Sequence, residues 1–291
     1  MDFAQQLVNG VQIGSVYALV AIGYTMVYGI AKMINFAHGD SIMVGSYVAL
    51  LFFQSSGLPV WGVIAATAAV SAVLGVTIER LAYKPLRGGS RMSALITTIG
   101  VSLMLQNGFL LIFGSSPKPF PNHFTGEGFT LGGVTVSRLT AITLVVTVVL
   151  MVLLTLFVNR TRVGKAMRAV SEDQGAAQLM GINIDTSISI TFAIGSALAA
   201  VAAVLYSSTY PLINPYMGSM LGLRAFIAAV IGGIGVIPGA MIGGFIIGIA
   251  EALIKRYISS AMADAIVFAL LIIVLLVKPS GLLGRNEREK V

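Results

Sequence analysis

Long apolar stretches without charge alternate with short polar segments along this chain. A membrane-spanning helix needs about 20 consecutive, mostly apolar residues, and several of the stretches reach that length. Those that contain no Asp, Glu, Lys or Arg are 3–31, 41–78, 92–117, 139–159, 186–223 and 225–250. The pattern therefore predicts an all-α polytopic integral membrane protein.

The stretches and the polar segments between them predict about eight transmembrane helices, with a range of about 8–10. Residues 1–291 form a single transmembrane domain in this reading, with the N-terminus outside. The Pro- and Gly-rich residues 114–137 are predicted to form an external loop. The predicted apolar segments are 7–29, 41–53, 60–80, 93–113, 138–158, 187–209, two half-spans within 220–254, and 263–277.

Two interruptions predict broken or re-entrant segments. The first is the polar run Asn35 to Asp40, and the second is the glycine-rich run Gly232 to Gly239, which includes Pro238. Backbone that leaves a helix at membrane depth is tolerated where packed protein or a water-filled cavity satisfies it. The first run could line a translocation path, or it could be an interfacial loop in which Asp40 caps the next helix. The predicted path residues are Asn35, His38, Gly39, Asp40, Gly235, Pro238 and Gly239.

Composition and charge support a membrane location. Hydrophobic residues make up 57% of the chain and charged residues 10%, whereas soluble proteins carry roughly 25% charged residues. The net charge is +7, but short loops rich in Lys and Arg stay in the cytoplasm, so we interpret this charge as topology and lipid contact rather than nucleic-acid binding. The basic clusters are Arg80, Lys84, Arg87 and Arg91; Arg160, Arg162, Lys165 and Arg168; and Lys278, Arg285, Arg288 and Lys290.

The polar segment 159–187 is predicted to be a cytoplasmic coupling loop that contains a short helix over 172–180. Ser171 and Gln174 have capping-box spacing, and Gly181 can end the helix in a left-handed conformation. Small side chains at its centre would allow close approach to a partner protein. The predicted docking residues are Ser171, Glu172, Asp173, Ala176, Ala177 and Gly181.

Catalytic chemistry is not evident in the sequence. The chain has two His and no Cys, so neither a catalytic nor a metal site is predicted, and no cofactor is expected. Gly164-Lys165 lacks the upstream Gly and the following Ser or Thr of a phosphate-binding loop. Energy for active transport would therefore come from another chain.

Ionisable residues are predicted at span ends rather than inside the membrane. Glu79, Glu251, Arg224 and Asp264 are interpreted as interfacial, and no acidic group is expected near the midplane. An ion-coupled carrier or pump usually carries such groups, so their predicted absence weighs against that class.

Small residues recur at helix-packing spacing, as in Gly10 and Gly14 or Gly244 and Gly248. Such stripes allow close helix association in lipid. They could pack helices within this chain or form a subunit interface, and we favour the first.

Three motifs resemble one transporter family. The run Gly14 to Gly23, with Tyr28-Gly29 and Asn35 to Asp40, resembles the opening of bacterial branched-chain amino acid ABC transporter permeases. Ala166 to Val170 through Gly181-Ile182-Asn183 is similar to the family's cytoplasmic segment, and Gly232 to Gly235 with Pro238-Gly239 is similar to its C-terminal signature. Gly175 stands where ABC permeases generally have Glu, which is a departure from their coupling motif.

The resemblance implies the shorter permease subunit of an importer for branched-chain or other hydrophobic amino acids in the bacterial inner membrane. It implies a second permease subunit in a heterodimer, two cytoplasmic ATPase subunits and an external substrate-binding protein. On this resemblance, the docking residues of segment 159–187 are the ATPase-coupling residues. Urea or short amides are alternative cargo within the same class. A stand-alone channel or ion-coupled carrier is the alternative from another class.

Overall fold

The computed structural model describes residues 2–87, 89–124, 126, 128–131 and 133–284. Arg285, Arg288 and Lys290 of the predicted C-terminal basic cluster lie outside the described residues. The helices are α1 (Asp2–Ala31), α2 (His38–Ser55), α3 (Val60–Ile78), α4 (Arg91–Phe113), α5 (Arg138–Arg160), α6 (Arg162–Glu172), α7 (Gln174–Leu179), α8 (Ile184–Thr209), α9 (Met217–Gly232), α10 (Ile237–Tyr257) and α11 (Ala263–Val277).

The helices confirm a polytopic membrane protein. Within the described residues, six are long and apolar enough to cross a membrane, and α9 and α11 are shorter apolar helices. The 18-residue α2 packs inside the same bundle. A π-helical turn, Glu79–Tyr83, and a 3₁₀ turn, Lys84–Leu86, follow α3.

The core of the bundle surrounds α1 and α8. In α1, 83% of the most apolar stretch is buried, whereas the corresponding share is 11% in α4 and 17% in α5. Helices α1 and α8 therefore pack on all sides, while α4 and α5 offer apolar faces to lipid or to another subunit.

Glycines bring α1 and α10 into backbone contact. A Cβ at Gly10 would lie 2.6 Å from Ile249 Cα, and a Cβ at Gly14 would lie 2.9 Å from Phe245 Cα. Gly248 faces Gly14 in the same way. These small-residue stripes pack helices within the chain, as favoured from the sequence.

Both predicted breaks interrupt helices. Residues 32–37 separate α1 from α2, and residues 233–236 separate α9 from α10. At the second break, Gly233 and Gly235 have φ of 109° and 93°, values that favour glycine. The backbone amides of Leu282 and Leu283 donate to the carbonyls of Ile231 and Gly232, at 2.8 and 3.0 Å. The segment after α11 thus satisfies the end of α9.

Short strands connect the loops at one end of the bundle, which we call the loop end. Strands β1 (Lys118–Pro119) and β4 (Leu212–Ile213) pair antiparallel, as do β2 (Phe129–Leu131) and β3 (Val134–Val136). Because β1 belongs to the predicted external loop and β4 follows α8, this pairing joins two distant loops. We call the opposite end, where α5 ends and α8 begins, the basic end.

The prediction that ionisable residues avoid the interior is wrong for two glutamates. Glu251 of α10 is 1% exposed and accepts hydrogen bonds from Tyr17 (2.6 Å) and Arg224 (2.9 Å). Arg224 also pairs with Asp264 at 2.5 Å, and Lys255 lies 2.5 Å from Glu251. Two cations therefore balance two carboxylates in a cluster that joins α1, α9, α10 and α11.

The second buried glutamate, Glu79, lies at the basic end. It is fully buried, pairs with Arg87 and accepts a 2.5 Å hydrogen bond from Ser189. Arg87 also pairs with Asp185, which lies 2.7 Å from Lys84. This cluster joins the end of α3 to the start of α8. Tertiary contacts, rather than the position at a span end, remove these glutamates from solvent.

The glycine contact predicts a selective loss of stability. Gly248→Ala should destabilise the chain by about 1–3 kcal/mol, because the added methyl group overpacks a backbone contact. The matched control is Gly108→Ala in α4, where a Cβ would meet nothing within 4 Å. Thermal unfolding of both variants in detergent measures the difference, and equal midpoints would contradict the packing role of Gly248.

Candidate functional site

The break between α1 and α2 brings the predicted path residues Asn35, His38, Gly39 and Asp40 together. Asn35 is 4% exposed, and His38 and Asp40 are each 1% exposed. These three side chains are therefore packed inside the bundle. Asp40 also does not cap the next helix, because α2 begins at His38 and has no side-chain cap at Ala37.

Gly39 forms a crossing point between α2 and α9. A Cβ at Gly39 would lie 2.5 Å from Gly218 O and 3.0 Å from Gly222 Cα. The two helix N-termini therefore approach through backbone atoms, and Gly39 holds Asp40 against α9.

Asp40 belongs to a polar cluster between α2, α4 and α9. Gln106 Nε2 donates to Asp40 Oδ1 at 2.9 Å. The same nitrogen lies 3.0 Å from Ser102 Oγ and 2.9 Å from Ser219 Oγ. A polar side chain in a membrane span is expensive unless it has polar partners, and these four residues satisfy one another.

Asp40 is a third buried carboxylate of the bundle. Glu79 and Glu251 each have an arginine partner. None of the ion pairs found between described residues includes Asp40. Its environment in the structure is hydrogen-bonded but not neutralised by a cation of the described chain.

His38 packs between α1 and α8. Its ring lies 4.5 Å from the ring of Tyr24, and a Cβ at Gly23 would meet His38 Nε2 at 2.6 Å. Neither ring nitrogen of His38 has a hydrogen-bond partner among the residues that the structure describes. The imidazole therefore fills a close-packed position beside Tyr24.

A cleft of about 270 Å³ opens on the surface of the chain beside the Asp40 cluster. Ser102 and Ser219 supply polar lining from α4 and α9. The remaining lining is largely apolar and aromatic, and consists of Tyr24, Phe36, Ile99, Leu103, Leu223 and Phe226. The volume is near the lower limit of about 300 Å³ that is usual for small-molecule pockets.

A second cavity of about 10 Å³, room for roughly one water, shares two aromatic lining residues with the cleft. Tyr24 and Phe226 line both spaces, and their ring centroids are 5.8 Å apart. Asn35 and Ile234 also line the small cavity, so residues from both helix breaks meet there. The Tyr24–Phe226 pair therefore adjoins both the cleft and this junction.

The path residues predicted near the second break have different environments. Gly235 and Pro238 are exposed, and Gly235 has open space where a Cβ would lie. Gly239 is buried, and its Cβ would meet Gly232 O at 2.5 Å. Gly235 lies near Gly29, whereas Gly239 packs the end of α9 against the start of α10.

The polar segment between α5 and α8 contains two helices instead of one. Thr161 caps α6 by accepting from Gly164 N at 3.0 Å. Asp173 caps α7 by accepting from Ala176 N at 3.0 Å. The prediction that Ser171 is the N-cap is wrong, because Ser171 lies in the last turn of α6 and donates to Arg168 O. Glu172 is the last residue of α6.

Gly181 ends α7 as predicted. Its φ is 81°, its amide donates to Gln178 O at 3.0 Å, and Ile182 N donates to Ala177 O at 3.0 Å. These two bonds form a Schellman motif. The left-handed glycine turns the chain back toward α8.

The faces of α7 differ from the prediction. Ala177 is 4% exposed and packs in the core of the chain, so it cannot face a partner, whereas Ala176 is exposed. Leu179 and Met180 are 90% and 82% exposed. The outward apolar surface of this segment is therefore formed by Leu179 and Met180.

Sequence reasoning missed Ser102 and Gln106 on α4 and Ser219 on α9. Ser102 and Gln106 are four residues apart in an uncharged span, a spacing that puts two polar side chains on one helix face. That spacing could have identified the polar face of α4. Nothing local in the sequence joins Ser219 to them, because α9 reaches α4 only through the fold.

A family model described as "Branched-chain amino acid transport system / permease component" matches residues 6–275. The chain is 48% identical to the high-affinity branched-chain amino acid transport system permease protein BraD of Pseudomonas aeruginosa, over 99% of this chain and 98% of that protein. It is 49% identical, with the same coverage, to the permease protein LivH of Escherichia coli K12, which has the same description.

A solved structure of similar fold is PsaBC from Streptococcus pneumoniae in complex with Fab. The match has a TM-score of 0.50 and 15% identity, and it covers 96% of this chain and 93% of that chain. At that identity the likeness concerns the fold alone. The family match and the near-full-length relatives show that this chain belongs to the family of permease components of branched-chain amino acid transport systems.

Proposed function

We propose that this chain is the membrane permease subunit of an ATP-driven importer for branched-chain or other hydrophobic amino acids. A second permease subunit, two cytoplasmic ATPase subunits and an external binding protein complete the proposed transporter, which lies in the bacterial inner membrane. The observation that carries the proposal is identity of 48–49% over 99% of the chain to permease proteins named for branched-chain amino acids.

Uptake by reconstituted proteoliposomes tests this function. Leucine should accumulate only when the chain is assembled with the other permease subunit, the ATPase subunits, the substrate-loaded binding protein and ATP. Omitting ATP should reduce uptake to the level of empty liposomes. Uptake by this chain alone, or uptake driven by a proton or sodium gradient, would favour the stand-alone carrier instead. Uptake of urea or acetamide in place of leucine would identify the alternative cargo.

We infer that segment 159–187 couples the chain to an ATPase subunit through α7. The cap at Asp173 and the Schellman motif at Gly181 fix both ends of this one-and-a-half-turn helix. Leu179 and Met180, at the C-terminal end of α7, project from the chain. Apolar side chains as exposed as these are typical of a binding surface. Ala176 and Gly175 leave room beside them for close approach.

The coupling surface predicts a loss of ATPase association. Leu179→Asp should reduce co-purification of the ATPase subunits and leucine uptake by about tenfold, because it places a charge in an apolar contact. Leu212→Asp in β4 at the loop end, where Leu212 is 61% exposed, is the matched control and should leave co-purification of the ATPase subunits near that of the unmodified chain. Affinity purification and uptake measure the effect. Normal association of the Leu179 variant would remove α7 from the interface.

We also infer that the translocation route passes the cleft and the break at Asn35–Asp40. The cleft opens at the chain surface between α4 and α9, so a second permease subunit against this face would enclose it. Beyond the cleft, the Tyr24–Phe226 pair and then the small cavity lead toward Gly235 at the second break. Movement of these two rings would connect the spaces.

The chain has no native Cys, so introduced cysteines report access without background. Cys introduced as Leu223→Cys, in the cleft lining, should react with a small water-soluble thiol reagent in the assembled transporter. Leu221→Cys, on the same helix but 3% exposed, should react at least about tenfold more slowly, because it is packed in the core. Equal rates, measured by mass spectrometry, would place the route elsewhere.

A further inference from the structure

The Asp40 cluster combines a buried negative group with access to a cavity. Asp40 is 1% exposed, and its partner Gln106 connects it to Ser102 and Ser219. Both serines line the 270 Å³ cleft. A hydrogen-bonded path of one side chain therefore leads from the carboxylate to the cleft wall.

The charge balance of this cluster differs from that of the other buried carboxylates. Glu251 has Arg224 and Lys255, and Glu79 has Arg87. Within the part of the chain that the structure describes, none of the ion pairs includes Asp40. An ionised carboxylate buried without a cation is unfavourable, so a positively charged group that enters the cleft would be stabilised beside it.

The rest of the cleft favours an apolar group. Phe36, Leu103 and Leu223 line it together with the aromatic faces of Tyr24 and Phe226. An occupant with an ammonium group at one end and a branched aliphatic group at the other would match both parts of the lining. The volume suits a molecule smaller than a typical drug.

We propose that the cleft is a transient binding site for a small primary ammonium compound with an aliphatic side chain. The ammonium group donates hydrogen bonds to the hydroxyls of Ser102 and Ser219, where the negative charge of Asp40 behind Gln106 stabilises it. The aliphatic group packs against Phe36, Leu103 and Leu223. The proposal rests on the proposed function only in identifying this compound as an amino acid in transit. Asp40 is then the residue that selects the amino end of the cargo.

An aminolipid headgroup carries the same ammonium chemistry and could occupy a cleft that opens on the chain surface. The test therefore uses the assembled transporter in vesicles of phosphatidylcholine and phosphatidylglycerol, which contain no primary amine. Addition of phosphatidylethanolamine to a second set of vesicles measures competition by lipid.

Ligand protection of Leu223→Cys from a thiol reagent measures binding, without transport. Leucine and 3-methylbutylamine, which keeps the ammonium group, should slow modification. 4-Methylpentanoate, which keeps the carboxylate and the aliphatic group, should not. In the Asp40→Asn background, half-protection should need about tenfold or more 3-methylbutylamine, because the variant removes the negative charge that attracts the ammonium group across a short, poorly solvated distance. Asp185→Asn, which removes a carboxylate at the basic end, is the matched control and should leave protection unchanged.

Equal protection by 4-methylpentanoate and 3-methylbutylamine would overturn the proposal, even if Asp40→Asn failed to assemble. Unchanged protection by 3-methylbutylamine in the Asp40→Asn background would overturn it as well. If none of the three compounds slowed modification of the introduced cysteine in either lipid mixture, the cleft would bind none of them and the proposal would be wrong. Leucine uptake by the unmodified transporter is measured separately, so the site can fail while the proposed function stands.

Discussion

Close backbone contact around α1 is the constraint on which the rest of the bundle depends. Without a solvent-driven hydrophobic effect between helices, association in lipid relies on close packing and on internal polar contacts. Gly10 and Gly14 admit α10, and Gly23 admits the ring of His38. Because 83% of the most apolar stretch of α1 is buried, the helices that contact it most, α10, α8 and α9, take their positions from it. Helices α3, α4 and α5 remain at the periphery.

The buried polar groups of the bundle form two kinds of cluster, which differ in charge balance and in their distance from open volume. The clusters around Glu251 and Glu79 contain cations and anions in balance, and each joins elements that are distant in sequence. Buried ion pairs are weak evidence for net stability, because removing charges from water is costly. Here they link particular helices to one another. The Asp40 cluster has no such balance in the described structure and adjoins open volume. That contrast separates a structural polar cluster from one suited to a ligand.

The two helix breaks also differ in what surrounds their backbone. At 233–236, the carbonyls at the end of α9 are satisfied by the amides of Leu282 and Leu283, so much of this break is a joint between α9, α10 and the segment after α11. At 32–37, the break buries Asn35 and leads directly into His38, Gly39 and Asp40 at the buried start of α2. This break borders both the cleft and the small cavity. Irregular backbone in a membrane is tolerated in both settings.

The sequence by itself determined the class of protein, most helix positions and both breaks, because the span length and the helix-breaking residues are local properties. It also identified the end of α7, since a left-handed turn at Gly181 depends mainly on the residue type. The N-cap at Ser171 was predicted wrongly because α6 extends through Ser171 to Glu172. The side chain of Asp173 accepts the hydrogen bond from the backbone amide of Ala176 instead. The tertiary structure alone decided that Ala177 faces inward, that Glu79 and Glu251 are buried, and that Ser219 joins Asp40 and Gln106. These outcomes depend on which helices cross at Gly39, Gly14 and Gly248, and a contact between distant segments leaves no periodic signal in either one.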